Sequence, residues 1–131
     1  MNDAVDDSIV LVLPASNEAP RVARREVDRW LLSRTVEETA RNDVLLVVSE
    51  LVTNAFEHTG SAPVLEVSYR DSDVRVTVRD RDEGHHPRLT AGGGVGGGFG
   101  LHIVARTARR WGWEPTVDGK SVWADVAFTS A

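Results

Sequence analysis

Residues 43–58, DVLLVVSELVTNAFEH, carry the pattern from which the fold is best predicted. Their apolar residues recur at helical spacing over about four turns. Glu50, Asn54 and His58 interrupt the apolar run at four-residue intervals. Because each such step turns only about 40° around a helix, these polar side chains form a stripe at the edge of the apolar face. A carboxylate and an amide there can hold a hydrated divalent cation and activate a hydroxyl, although a solvated helix edge would give the same pattern.

Length, composition and charge indicate a single domain with a substantial core. The 131 residues are 41% hydrophobic and 27% charged, and none is cysteine. A net charge of −5 argues against a general nucleic-acid binder, because phosphate attraction requires a concentrated positive surface. The first residues, MNDAVDDS, are acidic, unlike a signal peptide, and no apolar run approaches the ~20 residues of a membrane-spanning helix. We therefore expect a cytoplasmic protein that contacts neither nucleic acid nor membrane directly.

Hydrophobic periodicity predicts helices and strands along the rest of the chain. Period-two alternation in residues 64–70 and 74–79 indicates a hairpin with one buried face, which is typical of an antiparallel sheet covered on one side. The predicted strands are Ile9–Leu13, Val64–Arg70, Val74–Arg79, Trp113–Val117 and Ser121–Phe128, and the predicted helices are Pro20–Ser33, Asp43–His58 and Leu101–Arg110. We expect one domain over residues 1–131, with residues 1–8 flexible.

Asp80 is an acidic residue at a position where the strand pattern predicts burial. It continues the series Val74, Val76 and Val78, so its side chain points to the buried face at the end of the strand. An isolated buried carboxylate is costly unless a hydrogen-bond donor reaches it, and the amino group of a ligand would be such a donor. Fraying of the strand at Asp80, with the acid capping the next turn, is the alternative.

A glycine-rich segment, GGGVGGGFG at residues 92–100, precedes the last predicted helix. Glycine-rich backbone that runs into a helix start can surround an anion with N–H groups, and the helix dipole favours negative charge there. Gly96, Gly98 and Gly100 would permit close approach of a ligand to the backbone. A flexible linker has the same composition, but a position between two packed elements of one domain favours a lid over a ligand, at residues 81–100.

Four segments in this order, SELVTNAFEH, VTVRD, GGGFGLHIV and GKSVWADV, resemble the N, G1, G2 and G3 boxes of the GHKL ATP-binding superfamily. Within it the chain is most similar to the small RsbW-like proteins, anti-sigma-factor serine kinases that are abundant in actinobacteria. The resemblance covers nearly the whole chain. It implies an α+β fold of the Bergerat type, a two-layer α/β sandwich with helices on one face of a mixed, mostly antiparallel sheet. It also implies ATP and Mg²⁺ as cofactors.

The resemblance implies a role for each matching residue. Asn54 would coordinate the Mg²⁺ bound to the ATP phosphates, and Glu50 would be the general base or water-positioning residue of phosphoryl transfer. Asp80 would accept the exocyclic N–H of adenine. The usual G1 form is DxGxG, whereas this chain reads DRDEGH from residue 80, so Asp82 is a second candidate for that contact. The other implied cofactor-binding residues are Gly96, Gly98, Phe99, Gly100 and Leu101 at the phosphates, and Ser121, whose hydroxyl would support the adenine-binding acid.

These matches imply an ATP-binding regulatory serine/threonine protein kinase of the anti-sigma-factor type. It would phosphorylate a small antagonist protein, which frees the kinase to hold a sigma factor. A non-catalytic module that binds ATP or only its protein partner is the first alternative, and the incomplete G1 box favours it. An ATP hydrolase of the same fold is the second. The sequence leaves the oligomeric state open, a homodimer included.

Overall fold

Within the part of the chain that the structure describes, five strands form one open sheet and three helices lie against it. The computed structural model describes residues 7–59, 62–81 and 98–128. Along the chain the elements are β1 (Ser8–Val12), α1 (Ala19–Leu32), α2 (Glu38–Thr59), β2 (Val64–Arg70), β3 (Asp73–Asp80), α3 (Gly98–Thr107), β4 (Arg110–Thr116) and β5 (Gly119–Ala127). The strand order is β1-β2-β3-β5-β4, and each neighbouring pair is antiparallel. The expected α+β sandwich is therefore confirmed, with these strands antiparallel throughout and not mixed.

The core lies between α2 and one face of the sheet. Alternate residues of the three central strands point to this face and are at most 4% exposed: Leu65, Val67, Val74, Val76, Val78, Val122, Ala124 and Val126. α2 packs across β3 and β5 and contacts both α1 and α3. Its own apolar face is equally buried, through Val44, Val47, Val48, Leu51, Val52 and Ala55. Residues 43–58 thus lie in the central helix of the core.

α2 begins at Glu38, five residues before the predicted start. Ala40 is 6% exposed and lies one turn before the first valine of the helix, so the apolar face extends into this turn. The Arg41 N–H donates to the Glu37 carbonyl oxygen at 2.8 Å at the helix start. The prediction missed this turn because one small apolar residue marks it. No helix in the described ranges is long and apolar enough to cross a membrane.

The other face of the sheet carries a buried carboxylate held by two arginines. Asp125 is 1% exposed and accepts hydrogen bonds from Arg75 at 2.7 and 2.9 Å and from the Arg110 Nε at 2.9 Å. The bonded Arg75 guanidinium holds the pKa of the Asp125 carboxyl below its ordinary value of 3.8. The same guanidinium lies 4.3 Å from the ring centroid of Trp123. This network joins β3, β4 and β5.

The end of α3 differs from the prediction, which continued the helix to Arg110. α3 ends at Thr107, and Arg110 is the first residue of β4. The Arg109 N–H donates to the Asp125 carbonyl oxygen at 2.7 Å, which brings the chain beside β5. Tertiary contacts with Asp125 therefore override the helical periodicity of LHIVARTARR.

Thr35 follows α1 in a backbone conformation that costs free energy. Its φ is 54°, in the left-handed region, and the Val36 N–H donates to the Leu31 carbonyl oxygen at 3.3 Å. This is the hydrogen bond of a Schellman helix end, where glycine is usual because it has no Cβ. We expect Thr35→Gly to raise the free energy of unfolding in urea by about 1 kcal/mol. Asp71→Gly, at φ 56°, should gain less because aspartate tolerates this region, and a loss of stability in Thr35→Gly would contradict this account.

Candidate functional site

α2 presents Glu50 and Asn54 on neighbouring turns at the edge of its buried face. Asn54 is buried, with 7% exposure, and Glu50 is half-buried. Leu51 and Ala55, next to them in sequence, belong to the core and fix the position of the helix. His58 lies in the last turn of α2, but its side chain is outside the described part of the structure. Glu50 and Asn54 of the predicted stripe thus lie at the border between the buried face of α2 and the face that solvent can reach.

The surroundings of Glu50 make its carboxylate a stronger base than an exposed one. Burial raises the pKa of the Glu50 carboxyl above its ordinary value of 4.5, and repulsion from the Glu57 carboxylate raises it further. Glu57 is exposed and lies two turns further along α2. Neither cause is a hydrogen bond or a neighbouring cation, so the proton affinity of Glu50 comes from its placement on this helix.

We expect Glu57→Gln to lower the pKa of Glu50, because it removes the like charge two turns away. A carboxyl group whose pKa is raised by folding lowers the free energy of unfolding at pH values above its pKa in the folded state. This loss disappears below pH 4.5, where the group is protonated in both the folded and the unfolded states. Glu57→Gln should therefore raise the free energy of unfolding near pH 7 more than at pH 4. Carbon-13 NMR titration of the Glu50 carboxyl measures the shift. Glu114→Gln, an exposed change on β4, should leave this pKa unchanged, and an unchanged pKa in Glu57→Gln would contradict the coupling.

Asp80 is the last residue of β3 and is buried, as its strand parity predicts. It is 5% exposed and pairs in register with Lys120 of β5, which is 2% exposed. The Lys120 Nζ lies 3.1 Å from Oδ1 and 3.0 Å from Oδ2 of Asp80. The two side chains thus form a buried ion pair on the helix-covered face of the sheet. Because Asp80 belongs to a regular strand, the alternative of a frayed strand with a turn-capping acid is wrong.

Lys120 is a site residue that the sequence did not predict. The parity that buries Asp80 also places residue 120 on the helix-covered face, since it continues the series Val126, Ala124 and Val122 of β5. Ser121 instead pairs with Arg79, and alternation directs its side chain to the opposite face. The hydroxyl expected to support the acid is therefore not on the acid's face, and Lys120 is the residue that contacts Asp80.

The first turn of α3 supplies backbone N–H groups beside α2. The helix begins at Gly98, so the amides of Gly98, Phe99, Gly100 and Leu101 are the first four of the helix and lack partners within it. Such a helix start can bind an anion. Residues 98–100 consequently belong to α3 and not to the expected lid. Residues 82–97 of that lid, Asp82 and Gly96 among them, lie outside the described residues.

A family model of the histidine kinase-like ATPase domain matches residues 13–125. The chain belongs to the histidine kinase-like ATPase domain family. The matched range contains Glu50 and Asn54 on α2, the Asp80–Lys120 pair and the start of α3. Membership of this family confirms the resemblance to the GHKL superfamily and implies ATP as the nucleotide.

Solved structures share this histidine kinase-like ATPase fold at low sequence identity. The RsbU and RsbW domains of Rv1364c from Mycobacterium tuberculosis match 95% of this chain with a TM-score of 0.74 and 19% identity, and the match spans 33% of that chain. The SiaB–SiaC complex from Pseudomonas aeruginosa matches 90% of this chain and 88% of its own with a TM-score of 0.70 and 14% identity. A comparison with curated protein sequences gives no match. The structural likeness establishes the fold.

The residues at this site fit ATP and Mg²⁺. α2 contacts both β3 and α3, so three kinds of ligand-binding group lie on adjoining elements. The Asp80 carboxylate can accept an N–H from a base, and the first turn of α3 suits phosphate. The amide oxygen of Asn54 suits Mg²⁺, which prefers oxygen ligands and is bound in proteins through few side chains together with phosphates.

Proposed function

We propose that the chain is an ATP-dependent protein serine/threonine kinase of the anti-sigma-factor type, which phosphorylates a small antagonist protein and sequesters a sigma factor. The observation that carries this proposal is the pairing on α2 of Glu50, whose pKa burial raises, with the buried Asn54 one turn away. Family membership supplies ATP as the phosphoryl donor. A general base beside a residue suited to Mg²⁺ is what phosphoryl transfer to a hydroxyl requires.

In the proposed reaction Glu50 accepts the proton of the attacking serine or threonine hydroxyl. The hydroxyl oxygen bonds to the γ-phosphorus, the bond from that phosphorus to the bridging oxygen breaks, and ADP leaves with both electrons of that bond. The raised pKa of Glu50 favours proton uptake as the hydroxyl attacks. Asn54 would hold Mg²⁺ through its amide oxygen, and the bound ion supplies neutralisation of phosphate charge.

The structural neighbours support a protein as the acceptor. One of them is an RsbW domain that was solved together with an RsbU domain, and the other is a complex of SiaB with SiaC. A small antagonist protein with an accessible serine or threonine is the corresponding acceptor for this chain. A sigma factor is the second partner, held when the antagonist has been phosphorylated.

A non-catalytic regulatory module of the same fold is the second candidate, and the Asp80–Lys120 pair favours it. The acid expected to contact adenine already accepts a hydrogen bond from Lys120 at 3.1 Å. A nucleotide that had to separate this pair would bind weakly. Such a module would bind its protein partner without transferring phosphate.

Incubation of the chain with Mg²⁺, γ-labelled ATP and a panel of small antagonist proteins from the same host tests the kinase. The expected result is label on one serine or threonine of one antagonist, which is lost when that acceptor is replaced by alanine. ATP binding without labelling of any antagonist would support the non-catalytic module. Release of labelled phosphate at the same rate with and without antagonists would support an ATP hydrolase.

A further inference from the structure

A cavity of about 630 Å³ lies at the end of the sheet opposite Asp80. The residues that line it flank the strands at this end, among them Asp7 just before β1, Asp71 in the turn between β2 and β3, and Phe128 just after β5. The eight residues of β3 separate the cavity from Asp80, a distance of about 25 Å. Cavities that bind small ligands have volumes of about 300–1,000 Å³. This end of the molecule therefore has room for a ligand that does not share the proposed ATP site.

Aromatic side chains form one wall of this cavity. Tyr69 of β2 and Phe128 both line it, and their ring centroids lie 5.1 Å apart with the ring planes at 66°. Tyr69 also packs against Trp30 of α1, with the ring centroids 5.4 Å apart. Tyr69 and Phe128 are half-buried, so the core fixes their position while the cavity still reaches them. An aromatic face attracts a cation, and it offers a flat apolar surface to a planar group.

Negative charge predominates among the residues that line the cavity. Three carboxylates, those of Asp7, Glu37 and Asp71, line it together with a single guanidinium, that of Arg34. Burial raises the pKa of the Tyr69 hydroxyl above its ordinary value of 10.0, and repulsion from the Asp7 carboxylate raises it further, by more than Arg34 lowers it. The charges at this cavity therefore favour a cationic ligand.

The Arg34 side chain shows how a guanidinium binds at this wall. Its Cζ lies 4.3 Å from the ring centroid of Trp30, and its Nε donates to the Asp7 carboxylate. A planar guanidinium can stack on an aromatic ring and bond a carboxylate at the same time. Tyr69, Phe128 and Asp71 bring the same two kinds of group, aromatic rings and a carboxylate, to the remainder of the cavity.

The Asp71 carboxylate lines the cavity without an ion pair. Asp71 is exposed, and within residues 7–59, 62–81 and 98–128 its side chain pairs with no lysine, arginine or histidine. Thr35 and Glu37, which also line the cavity, are exposed as well, so its mouth is open to solvent. Binding sites for small molecules enclose most of the ligand surface. An open mouth instead suits a side chain that projects from another protein.

We propose that this cavity binds an arginine side chain of a protein partner. The guanidinium packs against Tyr69 and Phe128, and its N–H groups donate to the Asp71 carboxylate. Arginine fits better than lysine because its charge is carried by a planar group that can face an aromatic ring and a carboxylate together. The inference does not depend on the proposed ATP site, which lies at the other end of β3.

NMR titration of the chain with acetyl-argininamide tests this proposal. Tyr69 is the only tyrosine of the chain, so ¹³C labelling of tyrosine rings gives the signals of this residue alone. We expect these signals to shift in a saturable way, with a Kd on the order of 1 mM. Acetyl-citrullinamide has nearly the same shape but no charge, and it should bind at least about fivefold more weakly. Acetyl-lysinamide has the charge without the planar group and should also bind more weakly than acetyl-argininamide.

Asp71→Asn tests the carboxylate without disturbing the turn. Asp71 has φ 56°, in a region that asparagine tolerates as aspartate does. We expect the variant to bind acetyl-argininamide about threefold more weakly, which is the usual worth of one exposed ion pair. Asp118→Asn, in the exposed turn between β4 and β5 at the other end of the sheet, is the matched control and should bind as the wild type does.

Three results would overturn the proposal. Tyr69 signals that do not move, or equal affinity for acetyl-argininamide and acetyl-citrullinamide, would show that the cavity does not bind a guanidinium. Unchanged affinity in Asp71→Asn would remove the carboxylate contact on which the choice of arginine rests. Tighter binding of spermidine than of acetyl-argininamide would assign the cavity to a free polyamine and not to a protein side chain.

Discussion

Glu50→Gln is expected to lower the rate of phosphoryl transfer by about 10²–10⁴-fold, the usual contribution of a general base. Glutamine has nearly the shape of glutamate but cannot accept the proton of the attacking hydroxyl. The affinity for Mg-ATP should stay within a factor of about three, because the substitution leaves Asn54 and Asp80 in place. Single-turnover transfer from γ-labelled ATP to the antagonist separates the chemical step from binding.

The stability of Glu50→Gln provides an independent check on this expectation. Because burial raises the pKa of Glu50, the ionised carboxylate is disfavoured in the folded state, and a neutral amide removes that cost. The variant should therefore lose activity without losing stability. Glu57→Gln, on the same helix, is the matched control and should transfer phosphate at close to the wild-type rate near pH 8. Transfer by Glu50→Gln at the wild-type rate would contradict the general-base role.

Lys120→Met is expected to lower the free energy of unfolding by about 3–5 kcal/mol, because it leaves a buried carboxylate without its cation. The Asp80 side chain is only 1% exposed, so water cannot replace the lost partner. The total stability of a domain is about 5–15 kcal/mol, which makes this a large fraction. Urea denaturation monitored by tryptophan fluorescence measures the change.

A double-mutant cycle separates the ion pair from simple loss of packing. Asp80→Leu combined with Lys120→Met should be clearly more stable than Lys120→Met alone, since it replaces the whole pair with apolar side chains. Arg79→Met is the matched control on the other face of β3, where the arginine side chain is 48% exposed, and it should change stability by no more than about 0.5 kcal/mol. If the double variant loses as much stability as Asp80→Leu and Lys120→Met together, the two charges do not stabilise each other.

The parts of the fold that periodicity predicts well are those buried on one regular face. The bounds of β2 agree with the prediction at both ends, because apolar and polar residues alternate without interruption from Val64 to Arg70. The sequence also predicts the central part of α2, because its apolar spacing is maintained for about four turns. Strand parity alone predicts that Asp80 is buried, but it does not predict that Lys120 is its partner.

Features set by pairing between distant strands could not be predicted from local pattern. Lys120 is recognisable as the partner of Asp80 only once β5 is known to pair with β3 in this register. β4 begins at Arg110, three residues before the predicted start, because contacts with Asp125 and the placement of Gly112 against the Trp123 ring outweigh its weak alternation. The same register pairs Ser121 with Arg79 and directs the Ser121 side chain to the face of the sheet opposite Asp80.

Calorimetric titration of the chain with ATP, in Mg²⁺ and in EDTA, is the decisive test of the proposed Mg-ATP site. We expect saturable binding of one ATP per chain in Mg²⁺, and at least about tenfold weaker binding in EDTA or in Asn54→Ala, where the amide ligand of the ion is lost. Thr53→Ala, a neighbouring change on the same helix, should bind as the wild type does. Absence of ATP binding in both Mg²⁺ and EDTA, or unchanged affinity in Asn54→Ala, would contradict an Mg-ATP site built on α2.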